Sequence, residues 1–251
     1  MIKKVVLYSF IFLLSLLIFL VCFLPANVVW EKAIAPQINT RQLGVEVQKV
    51  VGTIWHGQAL VRYQGLSGIA EWDVDLSGLL GLSLPVALNV NSEAGEVLAD
   101  IDVSASKLSA EIIKAHIDLQ VLTPLFRAQR VSLDGELLVK NLRVAIQDGK
   151  IIDASGLASW SGGDIAYPAG RTVHERSLPT FKAVLTTADS GDVYVGIRDS
   201  QATFDVINAD LKTDGTAMLR ITRRLLDLSS EPWSQNSTER DVVFKVKKVL
   251  Y

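Results

Sequence analysis

The order of apolar and polar positions divides the chain into two unlike parts. From Val5 to Leu24 no charge interrupts an apolar run whose most polar members are Ser9 and Ser15. As a helix rising roughly 1.5 Å per residue, that run reaches about 30 Å, the thickness of a bilayer's hydrocarbon core. The pattern predicts a transmembrane anchor over residues 5–24, with residues 1–4 as a cytoplasmic tip. Lys3 and Lys4 precede the run, as the positive-inside rule requires of a cytoplasmic end, although Lys32 and Arg41 on the other flank keep the asymmetry modest. Trp30 falls where an interfacial aromatic ring is favoured.

Beyond Trp30 the continuous run gives way to alternation with a period of two, the mark of strands with one buried and one wet face. In Ala70-Glu71-Trp72-Asp73-Val74-Asp75-Leu76 the apolar residues share one face and the carboxylates the other. Asp100 to Val103 and Val242 to Lys247 repeat the pattern, and strands also fit 58–63, 131–139, 151–160, 183–187, 193–198 and 203–211. In the last of these the apolar phase shifts after Val206, which predicts a bulge. Asp134-Gly135, Asp148-Gly149, Ser190-Gly191 and Asp214-Gly215 read as turns between strands. At least nine strands follow. Leu108, Ile112 and Ala115 recur at helical spacing after Ser106, and Leu225, Leu226 and Leu228 predict a short helix after Thr222. Residues 161–178, with Gly162, Gly163, Pro168 and Gly170, read as a long loop, and 231–240 as another. The fold class is therefore mainly β: one N-terminal transmembrane helix, then a domain of antiparallel strands with minor helices over 25–251, divisible into two similar halves near Thr123-Pro124.

Composition narrows the functions available. With 25 Lys+Arg against 27 Asp+Glu the formal net charge is −2, so the chain lacks the basic surplus of a nucleic-acid binder. The single cysteine, Cys22, lies in the apolar run and permits no intrachain disulfide. It follows Val21, a poor match to the small residue that precedes a lipidated cysteine; Ala33-Ile34-Ala35 lies well beyond the end of the run, so a retained anchor is the leading reading and a cleaved signal peptide the alternative.

Two places share a Gly-x-Ala-x-Trp arrangement, Gly68 to Trp72 and Gly156 to Trp160, each reading as a glycine that ends a turn before a tryptophan-bearing strand. A third glycine-tryptophan feature is Val51-Gly52-Thr53-Ile54-Trp55-His56-Gly57. With the N-terminal anchor and its Leu24-Pro25-Ala26 exit, these features resemble the type II secretion system protein N family, also called general secretion pathway protein N. The resemblance implies a non-enzymatic accessory component, anchored in the inner membrane with its bulk in the periplasm. It implies partners among the other subunits of the machine, the secretin or the inner-membrane platform. Gly52, Thr53, Trp55, Gly57, Gly68, Trp72, Gly156 and Trp160 are then structural landmarks: glycine permits close approach and tryptophan buries area.

No chemistry competes strongly with that reading. His56, His116 and His174 form no metal-ligand spacing, no Gly-x-Ser-x-Gly elbow surrounds Ser161, and no phosphate-binding loop is present, so no catalytic residue, metal or cofactor is expected. Asp73 with Asp75, and Asp100 with Asp102, share strand faces, a geometry open to acid–base work but far commoner on solvated faces. Arg220, Arg223 and Arg224 read as a solvated helix end or a contact for anionic groups. The C-terminal strand from Asp241 onwards is expected in the protein's own sheet, or as an edge open to a partner. The alternative function is a periplasmic β-groove that binds or transfers lipid, since strands with one apolar face suit an open groove as well as a closed core.

Overall fold

The computed structural model describes residues 2–37, 44–169, 172–233 and 236–249; Arg41 and Gly170 lie outside the described residues. Helix α1 (Ile2–Cys22) carries the apolar run and leads into α2 (Ala26–Val29) and a π-helical turn at Trp30–Ile34. Among the described residues no helix is long and apolar enough to cross a membrane. The α1 backbone covers 21 residues, while the side chains at positions 2, 3, 5 and 6 stand outside the description.

A meander of hairpins follows. Strands β1 (Val45–Gly52), β2 (His56–Tyr63), β3 (Leu66–Val74), β4 (Ser83–Ser92), β5 (Gly95–Ser104) and β6 (Lys107–Asp118) pair in sequence, each antiparallel to the last. After a 3-10 segment at Thr123–Gln129 and the short β7 (Ser132–Leu133), the sheet resumes with β8 (Glu136–Gln147) and β9 (Lys150–Trp160). Strands β10 (Gly163–Ala169) and β11 (Thr172–Leu178) leave to form a three-stranded sheet with β7. Strands β12 (Phe181–Thr187), β13 (Val193–Asp199), β14 (Ile207–Leu211) and β15 (Thr216–Thr222), then helix α3 (Arg223–Leu228) and β16 (Val242–Val249), complete the chain. The main sheet has 13 strands, with β1 and β16 as its edges, and it passes position 124 unbroken because β6 pairs directly with β8.

Register explains why this sheet forms. Directly paired residues in antiparallel strands project to the same face. One such row reads Val50, Ala59, Ala70, Val90, Val97, Ala115, Val139, Ala158, Ala183, Ile197, Ile207, Ile221 and Phe244, apolar on every one of the 13 strands. The parallel row two residues along contains Trp72, Leu88, Ala99, Ile112, Leu185, Val195, Ala209, Leu219 and Val246. The other face carries rows such as His56, Asp73, Ala87, Asp100, Glu111 and Arg143. A one-residue slip anywhere would exchange the faces, so the register is strongly specified.

The apolar face is thinly covered. Few of its residues are buried, among them Ala115, Val139, Ala154 and Phe181, and the largest fully buried side chain is Val206. The accessible surface of 16484 Å² is about 1.5 times the roughly 11,000 Å² that a compact monomer of this mass presents. The exposed helix α1 and a main sheet whose apolar face is only partly covered both contribute to that excess.

Five expectations need correction. Residues 107–118 are strand, not helix: Leu98 pairs with Lys114 and Ala99 with Ile112, so a bulge at Ile113 keeps both Ile112 and Ala115 on the apolar face. A bulged strand thus shows i, i+3 and i+4 apolar spacing, the same spacing a helix shows. Within 161–178 the glycines mark the entrance to a hairpin instead of a loop, and Pro168 is tolerated because β7 pairs β10 only at Ile165 and Ala166. The strand expected over 131–139 breaks at its own Asp134-Gly135 turn, where φ of Gly135 is +92°. Residues 203–206 form no strand; the phase change at Val206 marks the strand start at Ile207, not a bulge. Gly68 and Gly156 lie inside β3 and β9 and do not end turns.

Candidate functional site

The last carbonyls of a helix have no partner within the helix and must find one elsewhere. At the end of α1 that partner is the turn between β1 and β2. The Trp55 indole N–H donates to the Val21 carbonyl (2.8 Å), the Ile54 amide donates to the Leu24 carbonyl (3.1 Å), and Pro25 bridges to Thr53. The turn is built for this grip. Thr53 N donates to the His56 carbonyl (2.8 Å), and the Thr53 hydroxyl accepts from the His56 amide (3.1 Å). Gly52, at φ +94°, pairs with Gly57, and a Cβ on it would lie 2.5 Å from the His56 carbonyl oxygen. Gly57 leaves room for the Trp72 ring: a Cβ there would lie 2.5 Å from Trp72 Cζ2. The Trp72 indole then donates to the Ile54 carbonyl at 3.2 Å.

Five of the landmark residues, Gly52, Thr53, Trp55, Gly57 and Trp72, therefore meet in one latch between helix and sheet rim. Gly68 stands further along β3 against Ser92. Gly156 and Trp160 lie on β9, separated from β3 by β4, β5, β6 and β8. Gly156 sits opposite the irregularity in β8, where a Cβ would come within 2.7 Å of Leu142 Cα. Trp160 stacks on Phe181 with ring centroids 5.9 Å apart and planes 1° from parallel, and donates its N–H to the Asp134 carbonyl at 2.8 Å.

Below the latch, the polar face gathers the carboxylates. Asp73, Asp75, Asp100, Asp102, Glu111 and Asp153 line a depression of about 570 Å³ with Lys107 and Arg143. Arg143 engages Glu111 at 2.6 Å, and the Ser77 hydroxyl and backbone N–H hold the Asp75 carboxyl below its ordinary value. Six carboxylates against two cations leave the depression negatively charged. Among the described residues no cluster of His, Cys, Asp and Glu could hold a metal ion. His56 Nδ1 lies 2.8 Å from Asp73, both side chains mostly exposed. No hydroxyl or thiol is placed on the other ring nitrogen among the described residues, so the pair lacks the nucleophile a triad needs.

The arginines are not a free cluster. Arg220 pairs with Asp210, Arg223 with Asp227, and Arg224 with Asp199 and Glu239. Burial works to raise the Asp199 carboxyl, but donors from Gln201, Arg224 and Ala202 outweigh it and lower it overall. Two further groupings stand out, the first of which had no signal in the sequence. Glu231 accepts from Tyr167 (2.7 Å), meets His174 (2.8 Å) and pairs with Arg176 (3.1 Å), tying the second sheet to the segment after α3. Its carboxyl is held low by His174 first and Tyr167 next. The other grouping lies at the β16 edge, where Phe244 and Val246 are exposed on the apolar face.

A family model described as Type II secretion system (T2SS), protein N, matches residues 43–232, from the approach to β1 through the segment after α3. No curated protein and no solved structure matches the chain.

Proposed function

The chain belongs to the type II secretion system protein N family, and on that premise we propose that it serves the secretion machine as an inner-membrane-anchored periplasmic subunit. Residues 1–4 form the cytoplasmic tip, 5–24 the anchor and 25–251 the periplasmic domain. The uncharged run within α1 supports the anchor, as does the outward exposure of Leu7, Phe10, Phe12, Leu17 and Phe19 around it. In water that exposure has no compensation, whereas in hydrocarbon it is the ordinary state of a spanning helix.

The latch is the observation that carries the reading. It gives a lone helix a defined attachment to a large sheet, so the sheet is presented at a set position beside the membrane. The landmark glycines and tryptophans act there as structure, and the work of the domain is contact. The acidic depression offers basic residues of a secretin or platform subunit a complementary surface. The family is one of secretion-machine components and not a known enzyme family.

Affinity purification of the tagged chain from detergent-extracted membranes, with its companions identified by mass spectrometry, tests the proposal. Secretin or platform subunits are expected, and their yield should fall when Asp100 and Asp102 are changed to Lys. Recovery of none of these subunits from secretion-competent cells would sink the assignment of partners. Alkaline phosphatase joined after β16 is expected to be active, and an inactive fusion would overturn the orientation.

A further inference from the structure

Among the described residues the apolar face ends at β16 with large side chains that are only partly covered, Phe244 by the edge of Trp233 with ring centroids 5.6 Å apart. Leu219 is 38% exposed, Phe244 46% and Val246 58%, although all three point to the side that elsewhere carries the core. Two cavities open there in line along the strand. One of about 380 Å³ lies beneath the second sheet and α3, lined by Ile165, Tyr167, Leu226, Trp233 and Phe244. The other, about 240 Å³, is lined by Val193, Leu211, Ala217, Leu219, Val246 and Lys248. Phe244 lines the first and Val246 and Lys248 the second, alternate residues on one face of β16 that span about 13 Å along an extended strand; this stretch is the slot.

Two polar groups that line the slot lack a partner among the described residues, whereas the others, Tyr167, Ser229, Glu231 and Asp210, are paired. Trp233 Nε1 is the one buried side-chain nitrogen or oxygen without a hydrogen-bond partner among the described residues. Lys248 occupies the apolar side, paired across the sheet with Ala217 and in line with Leu211 and Val193. No ion-pair partner for it is found among the described residues. We propose that this slot holds an acyl chain of an anionic phospholipid, with the hydrocarbon lying along β16 on Val246 and Leu219 and the phosphate meeting Lys248. The inference is independent of the secretion assignment.

The lining decides the class of occupant. In the floor of the slot the backbone N–H and C=O groups of β13, β14 and β15 are engaged in the ladder on both sides. A polypeptide lying across that floor would bury amides with nothing to pair them, whereas hydrocarbon has none to lose. An anionic headgroup complements the lone ammonium, and the indole N–H awaits an acceptor such as an ester carbonyl.

Photocrosslinking in intact cells tests this on the full chain. Benzoylphenylalanine placed at Leu219 or at Val246 is expected to yield phospholipid adducts, and the same group at Lys245, on the opposite face of β16, none. Lys248→Glu is expected to lower the adduct yield at Val246 severalfold. Equal lipid yields on both faces, a polypeptide in place of lipid at Val246, or an adduct without phosphate would each overturn the proposal. Val246 and Lys248 are surface positions, so their variants leave folding intact, which thermal unfolding of the same samples verifies.

Discussion

Strands β3 and β9 carry the same Gly-x-Ala-x-Trp pentapeptide and use it for different ends. In both, the indole N–H reaches a backbone carbonyl on a neighbouring turn: Ile54 for Trp72 and Asp134 for Trp160. Trp72 rests on a glycine near the edge of the sheet and braces the turn that grips α1. Trp160 lies in mid-sheet, stacked on Phe181, and braces the corner where the chain passes from the second sheet back to the main one. The comparison teaches that an indole is an effective corner brace because it combines a large apolar area with a single directional donor. What the brace accomplishes depends on which turn the topology brings within reach.

The largest expected effect breaks the mid-sheet brace. Trp160→Ala removes the stack on Phe181 and the bond to Asp134, and should cost about 3–4 kcal/mol in urea unfolding of the detergent-solubilised chain. Trp72→Ala, nearer an edge, should cost about 2 kcal/mol; equal losses would refute the distinction between the two sites. Gly57→Ala comes next, at about 1–3 kcal/mol, because the new methyl meets both the Trp72 ring and the Val51 carbonyl. Combined with Trp72→Ala its cost should shrink, a coupling readable in a double-mutant cycle.

Trp55→Phe keeps an aromatic ring but removes the indole N–H that donates to Val21 together with the rest of the pyrrole ring, so about 1–2 kcal/mol is expected. Its loss should appear as faster hydrogen exchange at 53–57 and nowhere near β9. The mildest effect concerns the second sheet that departs beside Trp160. Because the folded Glu231 carboxyl is lowered from its ordinary 4.5, its contribution is present above that value and disappears as pH falls through the lower folded one. Exchange in β10 and β11 should therefore accelerate in acid in the native chain, and Glu231→Gln should abolish that dependence while leaving β1 to β3 unaffected.

Much of this architecture was written locally. An uncharged run long enough to span a bilayer, and carboxylates alternating with apolar residues from Ala70 to Asp75, declare helix and strand wherever they occur, because side-chain direction follows backbone period. Asp148-Gly149, with φ of +50° and +75°, declares a hairpin for the same kind of local reason. Glycine and tryptophan at 52, 55 and 57 were legible as structural landmarks and as the signature of a family. The helical spacing at Leu108, Ile112 and Ala115 misleads because a bulge is defined by a partner strand, and no single strand reveals where its neighbour slips. The latch on Val21, the Glu231 cluster and the slot at Lys248 are invisible in the same way. Each joins residues far apart in the chain whose approach is set by the order and register of 13 strands. The sequence by itself determined a helix, a set of strands and which face of each is apolar; only the tertiary structure decided which turns receive the tryptophans, and that the apolar face is left partly exposed at β16.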